Sequence, residues 1–127
     1  AILPLFERVT KYFIDHLPED YVPYWDLIFS DGSCEPRDTS AAAIAACGIL
    51  EMEKYYHNQE FLDIAKKMMS SLSEKYTTVD YLQSNGIIKD GMYSRKHGHK
   101  SECTSWGDYF YLEALMRMKK SDWKIYW

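Results

Sequence analysis

The sequence predicts an all-α protein made of helical hairpins. Four stretches of the 127-residue chain place apolar residues three and four positions apart, which is the period of an amphipathic helix. Long connections follow the first and third helices, whereas almost nothing separates the second from the third. Short and long connections in alternation are typical of αα-hairpins stacked around a ring, with the long loops on one face. We expect the functional site on that face, because loops held by rigid helices tend to carry binding residues.

The first helix is predicted from Pro4 to Leu17. Charged residues fall between its apolar positions, one proline suits its first turn, and a second proline ends it. Residues 18–37 then form a connection that is too long for a plain helix–helix turn, and loops of this length usually have a function. Its aromatic pair, Tyr24 and Trp25, is open to two interpretations: a plug that packs the loop onto the helices, or a wall that lines a binding site.

The second helix is unusually rich in small residues. Residues 38–40 (Asp-Thr-Ser) offer N-cap oxygens, five alanines follow between positions 41 and 46, and the helix is predicted to reach Tyr56, with Asn58 marking its end. Small side chains let neighbouring helices approach closely, so we expect this helix in an inner, crowded position. Gly48 within it costs about 1 kcal/mol relative to alanine, and we expect close contact with a neighbour to compensate.

The other two helices are predicted from Gln59 to about Leu82 and from Trp106 to about Lys119. A Thr-Thr-Val sequence at 77–79 can interrupt or bend the last turns of the third helix. The tail after the fourth helix carries two tryptophans, and we expect it to be buried against a neighbouring helix.

Composition and charge exclude several classes of protein. The formal net charge of −4 argues against the broad basic field of a nucleic-acid-binding protein. No apolar run approaches the roughly twenty residues that a membrane span needs. Three cysteines, at positions 34, 47 and 103, cannot all pair with one another and are typical of reduced thiols in a cytoplasmic protein. The chain opens without Met and directly into an apolar helix, so we expect it to be a piece of a longer protein.

The loop at residues 91–100 is rich in cationic and hydrogen-bonding side chains and leads towards the last helix. A metal site is one interpretation, because His97 and His99 lie close to Cys103, with His57 elsewhere. Structural zinc usually needs tightly spaced ligand pairs, and a second cysteine is missing here. We therefore predict neither a metal nor a cofactor.

Two motifs and one further segment resemble a known family. Residues 36–48 (PRDTSAAAIAACG), residues 102–115 (ECTSWGDYFYLEAL) and residues 16–26 (HLPEDYVPYWD) are similar to the unsaturated glucuronyl hydrolases, family 88 of the glycoside hydrolases. The resemblance covers nearly the whole chain. It implies an (α/α)6 barrel in which residues 1–127 supply the C-terminal helical hairpins, about a third of the domain, with the N-terminal part of the barrel as their missing partner.

The activity that the resemblance implies is the release of unsaturated uronic acids from glycosaminoglycan fragments made by polysaccharide lyases. In this family an aspartate protonates the C4–C5 vinyl ether and handles water, and the hydrated product opens to release the neighbouring sugar. This is general acid–base catalysis, although it differs from displacement at the anomeric carbon. The family's catalytic aspartates would lie upstream of Ala1, so we assign no catalytic residue and expect the isolated chain to be inactive.

Three aspartates of the chain need another explanation. We assign no catalytic role to Asp26, Asp38 or Asp108. Asp38 follows Arg37, and we expect a capping aspartate beside a structural arginine. Asp108 lies at the head of the last helix, where we also expect it to act as a cap.

Substrate-binding residues are carried over from the family only in the loop before Trp106. In the family this loop looks like part of the wall around the amino-sugar subsite, where a tyrosine and a short polar motif meet the sugar and its sulfate. The matching positions here are Tyr93, Ser94, His97, His99 and Lys100. Members that prefer sulfated substrates have Ser and Lys where this chain has His97 and His99, so sulfate binding would become pH-sensitive. Arg95 and Lys96 are also open to interpretation as exposed basic decoration.

A second class of function stays open, namely a binding or scaffold module of helical hairpins without catalysis. Internal repetition would favour it, yet the helices share no repeated motif. If the chain is a sector of a barrel, its apolar flanks are exposed, and we then expect it to associate with itself.

Overall fold

A computed structural model of the chain describes residues 2–96 and 102–125, and four helices account for most of them. These are α1 (Ile2–Asp15), α2 (Thr39–Met52), α3 (Gln59–Lys75) and α4 (Ser105–Lys119). The described residues contain isolated β-bridges but no strand, so the predicted all-α class is confirmed. Within the same residues, no helix combines the length and the apolar character that crossing a membrane requires.

The helix α2 lies in the middle of the fold, as its small side chains led us to expect. It packs against both α3 and α4, and Ala42, Ala43 and Ala46 have no exposed surface. The hydrophobic core continues into α3, where Met68 and Leu72 are fully buried. Alanines allow the helix axes to come close, so a central helix can be covered on two sides without large cavities.

The helices α2 and α4 run in the same direction. At their N-terminal ends, a side chain on Gly107 would place its Cβ 3.3 Å from the Ser40 Cβ and 2.6 Å from the Thr104 hydroxyl oxygen, so only glycine fits there. At their C-terminal ends, Arg117 pairs with Glu51. Parallel α2 and α4, with α3 reached through a short connection, agree with the predicted succession of hairpins.

Gly48 does not have the role that the sequence predicted for it. Among the described residues, no atom lies within 4 Å of a Cβ built at Gly48. The residue is exposed and instead lines a shallow apolar groove of about 220 Å³ between α1 and α2, together with Val9, Phe13 and Ala45. Close packing therefore does not compensate for this glycine.

The predicted end of α3 at Leu82 is wrong, because the helix stops at Lys75. Beyond it the chain becomes extended and pairs with a later segment, with the Thr78 amide donating to the Ile87 carbonyl at 2.9 Å. The β-branched residues at 77–79 favour this extended backbone over a helix. The long connection to α4 therefore starts a full two turns earlier than expected.

The predicted end of α2 at Tyr56 is also too late, because α2 ends at Met52. Asn58 belongs to the next helix as its N-cap, and its side-chain oxygen accepts from the Phe61 amide at 3.1 Å. The described part of the tail is not buried as predicted, because residues 120–122, 124 and 125 are exposed. Its contact with a helix is made by Trp123, whose ring lies 4.5 Å from the Arg117 guanidinium.

Candidate functional site

Two long connections, the first loop (residues 16–38) and the second loop (76–104), contribute residues of their described parts to an open cavity at the N-terminal end of α2. It has a volume of about 450 Å³ and is called the groove below. Its lining residues are Trp25, Asp38, Met92, Tyr93, Ser94, Arg95 and Lys96. Two of the predicted binding residues thus lie together in one cavity. The other three, His97, His99 and Lys100, fall outside the described residues.

The start of α2 forms the floor of the groove and holds the second loop. Asp38 is the N-cap of α2, and its Oδ1 accepts both from amides of the first turn and from the Met92 amide at 3.3 Å. Thr39 is fully buried, and its hydroxyl donates a hydrogen bond to the Lys89 carbonyl at 2.8 Å. The predicted capping role of Asp38 is confirmed, and the same carboxylate also fixes the loop that carries Tyr93.

The base of the segment 92–101 is closed by backbone pairing. Gly91 and Glu102 exchange two hydrogen bonds, with N–O distances of 2.8 and 2.9 Å. A side chain at Gly91 would bring its Cβ to 3.0 Å from the Glu102 carbonyl, so glycine allows this close approach. Asp90, just before it, has a left-handed backbone with φ of 62°. This pairing therefore holds the two ends of the segment together.

Asp108 does not cap α4, contrary to the prediction. The N-cap is Thr104, whose side chain accepts from the Gly107 amide at 3.1 Å. The Asp108 Oδ1 instead accepts from the amides of Ile87 and Ile88, at 3.0 and 2.9 Å. Its carboxylate ties the second loop to the first turn of α4, a partnership across about twenty residues that local sequence patterns do not reveal.

The two aromatic residues of the first loop lie in different surroundings. Tyr24 is only 7% exposed, and the guanidinium of Arg37 lies 4.0 Å from its ring, so Tyr24 is the plug. Trp25 is half-buried and lines the groove. The two side chains differ because Tyr24 lies in an extended segment that bridges to Arg37, and neighbours in such a segment point to opposite faces.

The first loop is fixed to the end of α3 by a polar network. Arg37 donates to the Val22 carbonyl at 2.6 Å and to Asp20 Oδ1 at 3.1 Å. The Tyr76 hydroxyl donates to the other oxygen of Asp20 at 2.7 Å. Burial, and then the hydrogen bond to Asp20, raise the pKa of Tyr76, so its hydroxyl stays a donor at neutral pH. Arg37 is structural, as predicted.

The second loop presents an exposed aromatic surface. The Tyr93 side chain is 65% exposed, and its ring centroid lies 5.9 Å from that of Trp106 in the first turn of α4. Trp106 itself is 38% exposed. Aromatic faces of this kind can stack on the apolar face of a sugar ring while polar edges bind its hydroxyls. Sequence reasoning used Trp106 only as a helix start and missed this contact.

Two cations of the second loop also line the groove. Arg95 Nε lies 3.7 Å from Glu35 Oε2 of the first loop, and Lys96 follows it. Both residues are exposed, as the interpretation as basic decoration expects, and Arg95 also faces Glu35. Among residues 2–96 and 102–125, no three His, Cys, Asp or Glu side chains come together as metal ligands. Because His97 and His99 are not among them, the absence of a metal stays a prediction.

Known proteins match the chain closely although no family model does. The unsaturated chondroitin disaccharide hydrolase of Streptococcus agalactiae is 46% identical over 129 residues, which are 97% of this chain and 32% of that protein. The unsaturated glucuronyl hydrolase of Bacillus sp. GL1 is 37% identical over 94% of this chain and 33% of that protein. A crystal structure of a variant unsaturated glucuronyl hydrolase from Streptococcus agalactiae, complexed with dGlcA-GalNAc6S, matches with a TM-score of 0.91 and 45% identity, over 98% of this chain and 34% of that one.

Over almost its whole length, the chain is homologous to about a third of the unsaturated glucuronyl hydrolases. It spans about a third of the length of the curated relatives that it matches. The resemblance read from the three motifs is thereby confirmed, and the four helices are hairpins of the α/α barrel of these hydrolases. The assignment of Tyr93 and Ser94 to substrate binding stays a prediction.

Proposed function

We propose that this chain is the C-terminal part of a hydrolase that releases unsaturated glucuronic acid from glycosaminoglycan oligosaccharides. The reaction is hydration of the C4–C5 vinyl ether, and the chain supplies part of the substrate-binding rim. The groove carries the proposal, because Tyr93 and Ser94 lie in it beside Trp25 on two anchored loops. The chondroitin disaccharide hydrolase at 46% identity supports it.

In this proposal the groove holds the sugar that follows the unsaturated residue. Trp25 and Tyr93 offer aromatic faces to its ring, and Arg95 and Lys96 attract its anionic substituents. His97, His99 and Lys100 add hydrogen bonds and charge to the same wall. Contacts with this non-reacting part of the substrate orient the vinyl ether for the catalytic aspartate, so the binding energy of the rim contributes to turnover.

We place the catalytic aspartate outside this chain. The three aspartates considered from the sequence use their carboxylates to hold backbone amides, Asp26 with Ile28 at 3.1 Å and Asp38 and Asp108 as described above. A carboxylate that organises its own loop in this way is suited to structure rather than to proton transfer.

The test compares residues 1–127 with a longer protein that carries the remaining two thirds of the family's length. The isolated chain should leave the ultraviolet absorbance of the double bond in an unsaturated chondroitin disaccharide unchanged, while the longer protein should remove it. Loss of absorbance with the isolated chain would contradict the placement of the catalytic group. An inert longer protein would contradict the function and favour a helical scaffold module.

The rest of the barrel is the proposed partner of the exposed apolar side chains. On α1 these are Ile2, Leu5 and Val9, which are 71%, 49% and 58% exposed. On α4, Leu112 and Met118 are 46% and 45% exposed. We expect the isolated chain to associate through these faces, and light scattering that gives a monomer at high concentration would contradict this. We also propose a cytoplasmic location, supported by three cysteines that form no disulfide.

A further inference from the structure

Hydrogen bonds hold both the backbone and the side chain of Trp25 in the first loop. The two arms of the first loop pair on either side of it, with the Trp25 amide donating to the Pro36 carbonyl at 3.0 Å and the Asp38 amide to the Pro23 carbonyl at 2.8 Å. The indole N–H then donates to Glu35 Oε2 at 2.8 Å. Backbone and side chain are therefore both fixed where Trp25 lines the groove.

The same oxygen of Glu35 also faces the opposite wall of the groove. It lies 3.7 Å from Nε of Arg95 on the second loop. The Glu35 and Arg95 side chains are 27% and 42% exposed, so their attraction is screened and adds little to stability. A contact that links two loops across a cavity, and yet stabilises the fold weakly, is suited to orienting side chains.

We propose that Glu35 is a positioning residue that sets Trp25 and Arg95 for an acidic sugar. Trp25 contacts the apolar face of the sugar ring, and Arg95 binds a sulfate or carboxylate on it. The planar guanidinium matches such groups through paired N–H donors. Since Glu35 faces Nε, it fixes the plane of the guanidinium relative to the indole. This inference rests on the proposed function. It assigns a role in substrate specificity to the first loop, for which the family resemblance implied no binding residue.

A charge effect and a positioning effect of Glu35 predict opposite results. If Glu35 acted on the ligand only through its negative charge, Glu35→Gln would strengthen the binding of an anionic sugar and Glu35→Asp would change nothing. If Glu35 acts by position, both substitutions weaken binding, because Gln no longer holds Arg95 and Asp is too short to reach both partners.

The experiment uses the full-length protein with unsaturated chondroitin disaccharides, unsulfated and 6-sulfated. We expect both Glu35 variants to raise KM for the 6-sulfated disaccharide about fivefold, with kcat within about twofold, because the lost contacts orient bound substrate. The rise in KM should be smaller for the unsulfated disaccharide, whose second sugar carries no anion for Arg95. The melting temperature should stay within about 2 °C of wild type. The control is Glu74→Asp, since Glu74 accepts from Ser70 at 2.7 Å on the exposed face of α3. An unchanged or lowered KM, or a fall in kcat that follows a fall in melting temperature, would overturn the inference.

A binding measurement distinguishes failure of this inference from failure of the proposed function. If the wild-type protein leaves the double bond intact, the proposed hydrolase function fails, and fluorescence titration with the same disaccharides decides the inference. A fluorescence change that Trp25→Phe removes, and that Glu35→Asp shifts to about fivefold higher disaccharide concentration, supports it. No change in wild-type fluorescence overturns it.

Discussion

The two ends of the α2–α4 pair use charged side chains in different ways. At the N-terminal end, Asp38 and Asp108 accept hydrogen bonds from loop amides and so hold the walls of the groove. At the C-terminal end, Arg117 pairs with Glu51 across the two helices and with Glu113 within α4, and these three residues are called the ion cluster below. Charged side chains thus hold the loops beside the groove at one end and join the two helices at the other.

Two of the three side chains of the ion cluster are buried, and Glu51 is 25% exposed. Arg117 and Glu113 side chains are 4% and 3% exposed, and Arg117 Nε donates to Glu113 Oε1 at 2.9 Å. Arg117 also donates to Glu51. Burial alone would lower the pKa of Arg117, but the hydrogen bonds to Glu51 and Glu113 raise it. Burial alone would likewise raise the pKa of Glu51, but hydrogen bonds from Lys54 and Arg117 lower it.

The difference between the ends explains where function can be altered at low structural cost. The groove cations, Arg95 and Lys96, are exposed, so replacing them should change what the cavity binds at little cost in stability. The ion-cluster charges are desolvated, so removing one of them leaves another buried without compensation. Loops at the groove can therefore vary among relatives while the opposite end keeps the helices together.

The largest difference in stability is expected when one arginine at each end of the α2–α4 pair is replaced by alanine. Arg117→Ala should lower the free energy of unfolding by about 3 kcal/mol, because it strands Glu113 in the core. Arg95→Ala should change it by less than about 0.5 kcal/mol, since Arg95 is part-exposed. Chemical denaturation of the two variants beside wild type measures both values. Equal losses of stability would show that the two ends do not differ in this way.

A smaller effect, on substrate rather than on folding, is expected at the groove. Tyr93→Ala in the full-length enzyme should raise KM about tenfold with little change in melting temperature, because Tyr93 is 65% exposed and little of it is buried in the fold. His99→Ala should act in the same direction. Steady-state kinetics and thermal melting check both, with Tyr55→Ala as control, since Tyr55 is 73% exposed near the C-terminal end of α2. A loss of stability without a change in KM would mark Tyr93 as structural.

The sequence was sufficient to predict the four helices and two of the residues that line the groove. The alanine run and the Asp-Thr-Ser cap correctly predicted a central α2, because helix packing and capping depend on residues a few positions apart. The family motif led to Tyr93 and Ser94, which lie together in the groove. The end of α3 was placed too late, since pairing of Thr78 with Ile87 decides it and helical periodicity does not register such pairing.

The remaining features depend on contacts between segments far apart in the chain. Asp108 was predicted to be a cap because it lies at the head of the last helix, yet its partners are the amides of Ile87 and Ile88. Glu35 carried no signal, because its link to Arg95 exists only once two loops face each other. Gly48 shows the converse, since a small residue inside a helix does not by itself imply a close neighbour.

The smallest expected effect concerns Cys47, which lies beside the ion cluster and donates to the Phe110 carbonyl at 3.2 Å. Burial, and then the charge of Glu113, raise the pKa of its thiol from 9.0 to about 12. The folded chain thus holds this proton more tightly than the unfolded chain. The resulting stability is fully present below pH 9 and is lost as the pH rises from about 9 towards 12.

Between pH 8 and 10, the wild-type chain should therefore lose about 1 kcal/mol more unfolding free energy than Cys47→Ala does. Denaturant titrations at the two pH values measure these losses, and comparing them cancels the constant cost of removing the buried sulfur as well as the contribution of Tyr76. Cys34→Ala is the matched control, because the Cys34 thiol is exposed in the folded chain and its removal should leave the loss as in wild type. Equal losses in wild type and Cys47→Ala would mean that the thiol beside Glu113 is not desolvated, and the charged end of the α2–α4 pair would then be as open to water as the groove.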